Sequence, residues 1–179
     1  MVLYYGLVTR AEDRQGLSEY QGTIQGFQAA VIDLGPVADK LVSKINPKVT
    51  RMSYVYEGNY FHYILERGLI FLVAADASTS RRGAFACLED IKDTFQKMYT
   101  EPVPLLDCTT CGEFRGVLRE KLQLHCDESP LDKVRAVQTE LHKVKDIMHQ
   151  NLELCIERGD HISCIMDRTD ELEAASQGF

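Results

Sequence analysis

From Leu131 onward the chain has no helix-breaking residue until Gly159, and its apolar residues recur at alternating steps of three and four. That is the period of a heptad seam, which keeps one stripe of a helix facing partner helices. Counting back from Arg158, the seam passes through Cys155, Asn151, Met148, Val144, Leu141, Val137 and Val134. Counting forward, it passes through Ile162, Ile165, Thr169, Leu172, Ser176 and Phe179. The other faces carry Lys143, Lys145, Asp146, Glu153, Asp160, Asp167, Asp170 and Glu171. A helix with one apolar stripe owes most of its stability to packing that stripe. Residues 131–179 are therefore predicted to be a coiled-coil helix that needs partners, and helicity without them is left open.

Arg158 is the anomalous seam residue. A guanidinium at the centre of a packed interface costs free energy unless acceptors surround it. An amide oxygen from each partner helix at this level would satisfy its five N–H donors. Such a layer fixes register, because sliding by a heptad would bury an unpaired charge. The simpler alternative is a generic coiled coil in which Arg158 leans out to water along its aliphatic stem. Periodicity alone does not choose between the two.

The first 126 residues read differently. Residues 2–9 are β-branched and aromatic, as in a buried strand. Residues 10–26 read as a long polar loop, and residues 27–32 as the second strand. Pro36 fits the first turn of a helix running to Ile45, with Val37, Leu41 and Ile45 on one face. Three strands follow: 51–56, 60–65 and 69–75, separated by Glu57-Gly58-Asn59 and Glu66-Arg67-Gly68 turn signals. The last of them, LIFLVAA, is apolar throughout and should be central and covered on both faces. Helices are predicted over 80–98 and 111–126. The order β-β-α-β-β-β-α-α gives an α+β domain: an antiparallel five-stranded sheet with helices on both faces. The resulting division is a domain over 1–126, a polar linker over 127–130 and the seam segment over 131–179.

Composition narrows the function classes. The net charge is −7, and no basic face is evident, so nucleic acid is not an expected partner. No apolar window is long enough to span a bilayer, and the N-terminus lacks the pattern of a secretory signal. Six irregularly spaced cysteines with no export signal point to free thiols. Cys108-Thr-Thr-Cys111 has the spacing of a redox pair or half a zinc site, with His125 and Cys126 the nearest further ligands. A structural zinc needs four ligands, so loop or buried thiols are the preferred reading. No metal, cofactor or catalytic residue is expected, and the chain is not read as an enzyme.

The stretch V-x-D-I-M-x-x-N from Val144, followed by E-R-G at 157–159 and D-R-T-x-x-L at 167–172, resembles the SNARE motif of the R class. Upstream, R-M-S-Y at 51–54, G-N-Y-F-H-Y at 58–63 and S-R-R-x-A-F-x-x-L-x-x-I from Ser80 resemble the longin domain of the tetanus-insensitive vesicle-associated membrane protein family. The resemblance covers nearly the whole chain. It implies a profilin-like longin domain followed by a SNARE coiled-coil segment. It also implies a parallel four-helix bundle with three glutamine-class SNARE helices, in which Arg158 is the zero-layer residue. Zippering from the Val134 end would draw two membranes together on the cytoplasmic face of endosomal, lysosomal or secretory vesicles. Family members are tail-anchored. This chain stops at Phe179 before any anchor, and is expected to be a truncated or partial form.

The same resemblance implies a hydrophobic groove between the first helix and an edge strand, mapped here to Val37, Leu41, Met52 and Tyr54. It would take a trafficking adaptor or the chain's own SNARE motif, with Leu141, Val144 and Met148 as candidate occupants. The simpler alternative is that Met52 and Tyr54 only pack under the first helix. The competing functional reading is a regulatory or adaptor-binding longin module whose coiled coil serves only for attachment.

Overall fold

The computed structural model describes residues 2–22, 33–56, 58–127 and 149–151. Among these residues, six strands form one sheet in the order β2-β1-β5-β4-β3-β6. They are β1 (Leu3–Arg10), β2 (Gly16–Gln21), β3 (Arg51–Tyr56), β4 (Asn59–Glu66), β5 (Leu69–Ala75) and β6 (His149–Asn151). The helices are α1 (Gly35–Lys44), α2 (Arg81–Met98) and α3 (Phe114–Asp127).

β5 lies between β1 and β4 and is buried along its whole length, as its unbroken apolar run requires. Strand pleating sends alternate residues to opposite faces, and the two faces carry two cores. On one, Leu34, Ala38, Leu41, Val42 and Ile45 of the α1 segment pack with Tyr5, Leu7, Phe61, Tyr63, Ile70 and Leu72. On the other, Phe85, Leu88, Ile91 and Phe95 of α2 and Leu118 and Leu122 of α3 pack with Val8, Ile64, Phe71 and Val73. The predicted five antiparallel strands with helices on both faces are present, and β6 is added to them.

Turn chemistry sets the registers. Glu66 pairs with Leu69, leaving a two-residue turn whose Arg67 and Gly68 both have positive φ, 52° and 77°. That is the type I′ geometry whose twist suits a hairpin. The helix starts also follow local rules. Pro36 occupies the first turn of α1, and the Ser80 hydroxyl caps α2 by accepting from the Gly83 N–H at 3.1 Å.

One expectation is corrected. The second strand is Gly16–Gln21, inside the segment read as a loop. Residues 27–32, expected to form it, lie outside the described residues. β1 and β2 make a hairpin, tied at its turn by the Thr9 hydroxyl donating to the Gln15 carbonyl at 2.8 Å. β2 escapes a periodicity search because a bulge opposite Val8 and Thr9 makes Leu17 and Ser18 adjacent buried residues, which breaks the alternation.

Candidate functional site

β3 would be an edge of the sheet without β6, and an edge strand leaves a row of main-chain N–H and C=O groups available for pairing. Three features hold β3 in place. Its inner side is paired with β4 over all six residues, from Arg51↔Ile64 to Tyr56↔Asn59. On the α1 face, Met52 and Tyr54 are buried beside Leu41, and the Tyr54 ring stacks on Tyr63 at 6.1 Å. On the α2 face, the Ser53 hydroxyl and His62 Nδ1 share a hydrogen bond of 2.7 Å, and the Arg51 guanidinium is ion-paired with Glu89 of α2.

Lys92 extends that pairing, reaching Glu89 at 2.5 Å and Glu66 at 3.2 Å. Burial opposes ionisation of Glu66, but the Lys92 ammonium and the Gln96 amide outweigh it and hold the carboxyl below its usual range. Burial likewise disfavours the Lys92 cation, and Glu89 and Glu66 more than compensate, raising its pKa. This network crosses from β3 and β4 to α2, so the position of the edge is fixed from both faces.

The outer side of β3 is occupied by β6. The pairing is parallel, with Ser53 opposite His149, Tyr54 opposite Gln150 and Val55 opposite Asn151. Three residues of the predicted seam segment, the first directly after Met148, are therefore extended and joined to the edge. Asn151 is the one predicted seam position among the described residues, and it is in a strand here. The physical reason is that an apolar side-chain stripe has no partner helix to pack on in a single chain, whereas the β3 edge offers main-chain hydrogen bonds.

The four predicted groove residues do meet at one place. Leu41, Met52 and Tyr54 are almost wholly buried in the α1-side core, with 0%, 2% and 1% exposure. Val37 is half-buried at the margin, together with Val49 and Tyr56. The floor is thus packed beneath α1, and the part of the surface that takes another segment is the main chain of Ser53–Val55. Sequence reasoning missed this because edge pairing is a backbone interaction with no residue signature. Arg158 and the remaining predicted layers, Val134, Val137, Leu141, Val144, Met148, Cys155, Ile162, Ile165, Thr169, Leu172, Ser176 and Phe179, lie outside the described residues.

Two of the residues weighed as zinc ligands, His125 and Cys126, have hydrogen-bond partners of their own. His125 Nε2 is 3.1 Å from an Asp90 carboxylate oxygen, and Cys126 Sγ accepts the Leu3 N–H at 3.2 Å. Among the described residues, no cluster of three or more His, Cys, Asp or Glu is arranged to hold a metal ion. No described helix is long and apolar enough to cross a membrane.

Two families match the sequence: the regulated-SNARE-like domain (longin) over residues 17–105, and synaptobrevin over residues 133–179. Vesicle-associated membrane protein 7 of Mus musculus is 31% identical over 145 residues, and the human protein of that name is 32% identical over 145 residues. Each alignment takes in 80% of this chain and 66% of the relative. Vesicle-associated membrane protein 727 of Arabidopsis thaliana is 27% identical over 166 residues, or 69% of its length. The chain thus spans about two thirds of the length of these curated relatives.

Proposed function

Because this chain belongs to the longin R-SNARE family, with a regulated-SNARE-like domain followed by a synaptobrevin segment, we propose that it drives vesicle fusion and restrains itself through its own sheet edge. The seam from Val134 to Phe179 zippers with three glutamine-class SNARE helices into a parallel four-helix bundle. Arg158 is the central layer, its guanidinium satisfied by three side-chain amide oxygens. No bond is made or broken. The work comes from burying the apolar stripe and forming helix. The setting is the cytoplasmic face of endosomal, lysosomal or secretory vesicle membranes, with a tail anchor beyond the present sequence.

The observation that carries the regulatory half is the parallel pairing of His149–Asn151 with β3. Asn151 is also a seam position, two layers before Arg158. A residue cannot be in a strand and in a helix at once. Pairing with β3 and zippering through Asn151 are therefore mutually exclusive, and partner SNAREs would act by shifting the population from one packing to the other. The predicted groove at Val37, Leu41, Met52 and Tyr54 supports the edge from beneath.

The test is assembly with soluble glutamine-class SNARE helices, followed by fluorescence. A heat-stable heteromeric bundle should form. Removing residues 1–127 should speed its formation, each tenfold corresponding to about 1.4 kcal/mol of closed-state stability. Arg158→Ala should leave closure intact and loosen the register of the bundle. No bundle with any glutamine-class set would remove the fusion reading and favour an adaptor-binding module. Equal rates with and without residues 1–127 would remove the self-restraint alone.

A further inference from the structure

The segment joining α2 to α3 holds a pair of thiols that the fusion reading does not use. Cys108 and Cys111 are three residues apart within one tight turn. The Cys111 N–H donates to the Asp107 carbonyl at 2.9 Å, and the Thr110 N–H donates to the Asp107 carboxylate at 2.7 Å. The turn closes so sharply that a Cβ on Gly112 would lie 2.9 Å from the Cys108 carbonyl oxygen. Residues three apart in such a turn have Cα atoms within about 7 Å, and a disulfide needs about 4.4–6.8 Å. The two thiols are unequal. Cys108 is exposed, whereas Cys111 is buried in the α2–α3 core cluster with Leu106, Phe95 and Phe114.

We propose that Cys108 and Cys111 form a reversible disulfide with each other by exchange with a low-molecular-weight disulfide such as oxidised glutathione, and that closing it loosens the start of α3. The exposed Cys108 thiolate attacks one sulfur of the oxidant. One glutathione thiolate leaves and takes up the proton lost from Cys108. A mixed disulfide remains on Cys108. The Cys111 thiolate then attacks the Cys108 sulfur, forming the protein disulfide and releasing the second glutathione, which takes up the proton from Cys111. Two protein thiols are oxidised and one glutathione disulfide is reduced to two thiols.

The second step has a structural consequence. Cys111 must turn toward Cys108, away from a cluster in which the Phe95 and Phe114 rings meet edge to face at 4.9 Å and Tyr99 lies 4.7 Å from Phe95. Phe114 is the first residue of α3, so the change falls on the element that leads into the linker and the seam. Burial and the nearby Asp107 and Glu101 carboxylates push the Cys111 thiol up. Closure should therefore be the slow step and should quicken with pH.

The experiment places the full chain in reduced and oxidised glutathione mixtures, traps thiols by alkylation and maps the peptides by mass spectrometry. A Cys108–Cys111 disulfide should form, preceded by a transient glutathione adduct on Cys108. Its closure rate should rise roughly tenfold per pH unit below the Cys111 pKa. In Cys111→Ser the adduct should persist. Amide exchange at Phe114–Leu118 should be faster in the oxidised wild type than in the reduced. A lasting Cys108 adduct in the wild type, or pairing of Cys108 with another cysteine, would overturn the disulfide. Unchanged exchange at Phe114–Leu118 would overturn the link to α3.

Discussion

Asp90 of α2 accepts from two α3 side chains, Lys121 Nζ at 2.8 Å and His125 Nε2 at 3.1 Å. The His125 hydrogen bond, with help from Lys121 and against partial burial, lowers its pKa from 3.8 to about 2. The unfolded chain therefore takes up this proton first as acid is added. The clamp's contribution is complete above about pH 4 and is lost as pH falls toward about 2. With its side chain 34% exposed, solvent screening leaves about 1 kcal/mol. The urea midpoint should fall between about pH 5 and about pH 2.5, and Asp90→Asn should flatten that fall. Parallel acid profiles for the two proteins would show that the clamp carries no net stability. None of this was legible in the sequence, because Asp90 and His125 are 35 positions apart and meet only through helix packing. The proposed role of Arg158 rests on the opposite kind of signal: a charge in a mostly apolar seam is a local violation that its neighbours in the chain are enough to expose.

Elements were legible where their pattern reports burial directly. The unbroken apolar run of β5 and the threefold and fourfold spacing of Ala84, Phe85, Leu88, Ile91 and Phe95 in α2 correspond to fully buried residues. β2 was not legible, since its outer face is exposed at Glu19 and Gln21 and a bulge disturbs its period. Nor was the close approach of α3 to β1. A Cβ on Gly6 would lie 3.3 Å from Leu122 Cδ1 and 3.4 Å from Leu118 Cδ2. Gly6 thus acts as the seat of α3, in a strand whose neighbouring residues are all bulky. Gly6→Val places further methyls against those two leucines, so either α3 or the strand must move. The expected loss is about 1–3 kcal/mol, read as a lower thermal midpoint. Gly6→Ala should lose less, because only the tight Cβ contact is added. Equal stability of all three proteins would mean that α3 does not rest on this strand.

At the scale of the molecule, the described residues present β3, held from both faces, and a segment, His149–Asn151, that pairs with it here and that the proposed function also assigns to a helical bundle. The heptad period spoke only for the bundle. It is a property of side chains, whereas β6 joins the sheet through its main chain, and His-Gln-Asn has no strand signature of its own. The competition has a distinctive exchange pattern. A parallel ladder draws on the N–H groups of alternate residues, and the β3 amides that do not face β4 are the ones available to β6. In the free full chain, both sets within residues 52–56 should resist deuterium exchange. Once three glutamine-class SNARE helices are bound, the outward set should exchange faster while the set facing β4 stays protected. Residues 149–151 should remain protected throughout, first as strand and then as helix. Loss of protection across the whole of β3 would mean that the sheet opens, and no change at the outward amides would mean that bundle formation leaves β6 in place. In that second case the exclusion between strand and seam would be wrong, and the segment after Asn151 would have to begin the bundle alone.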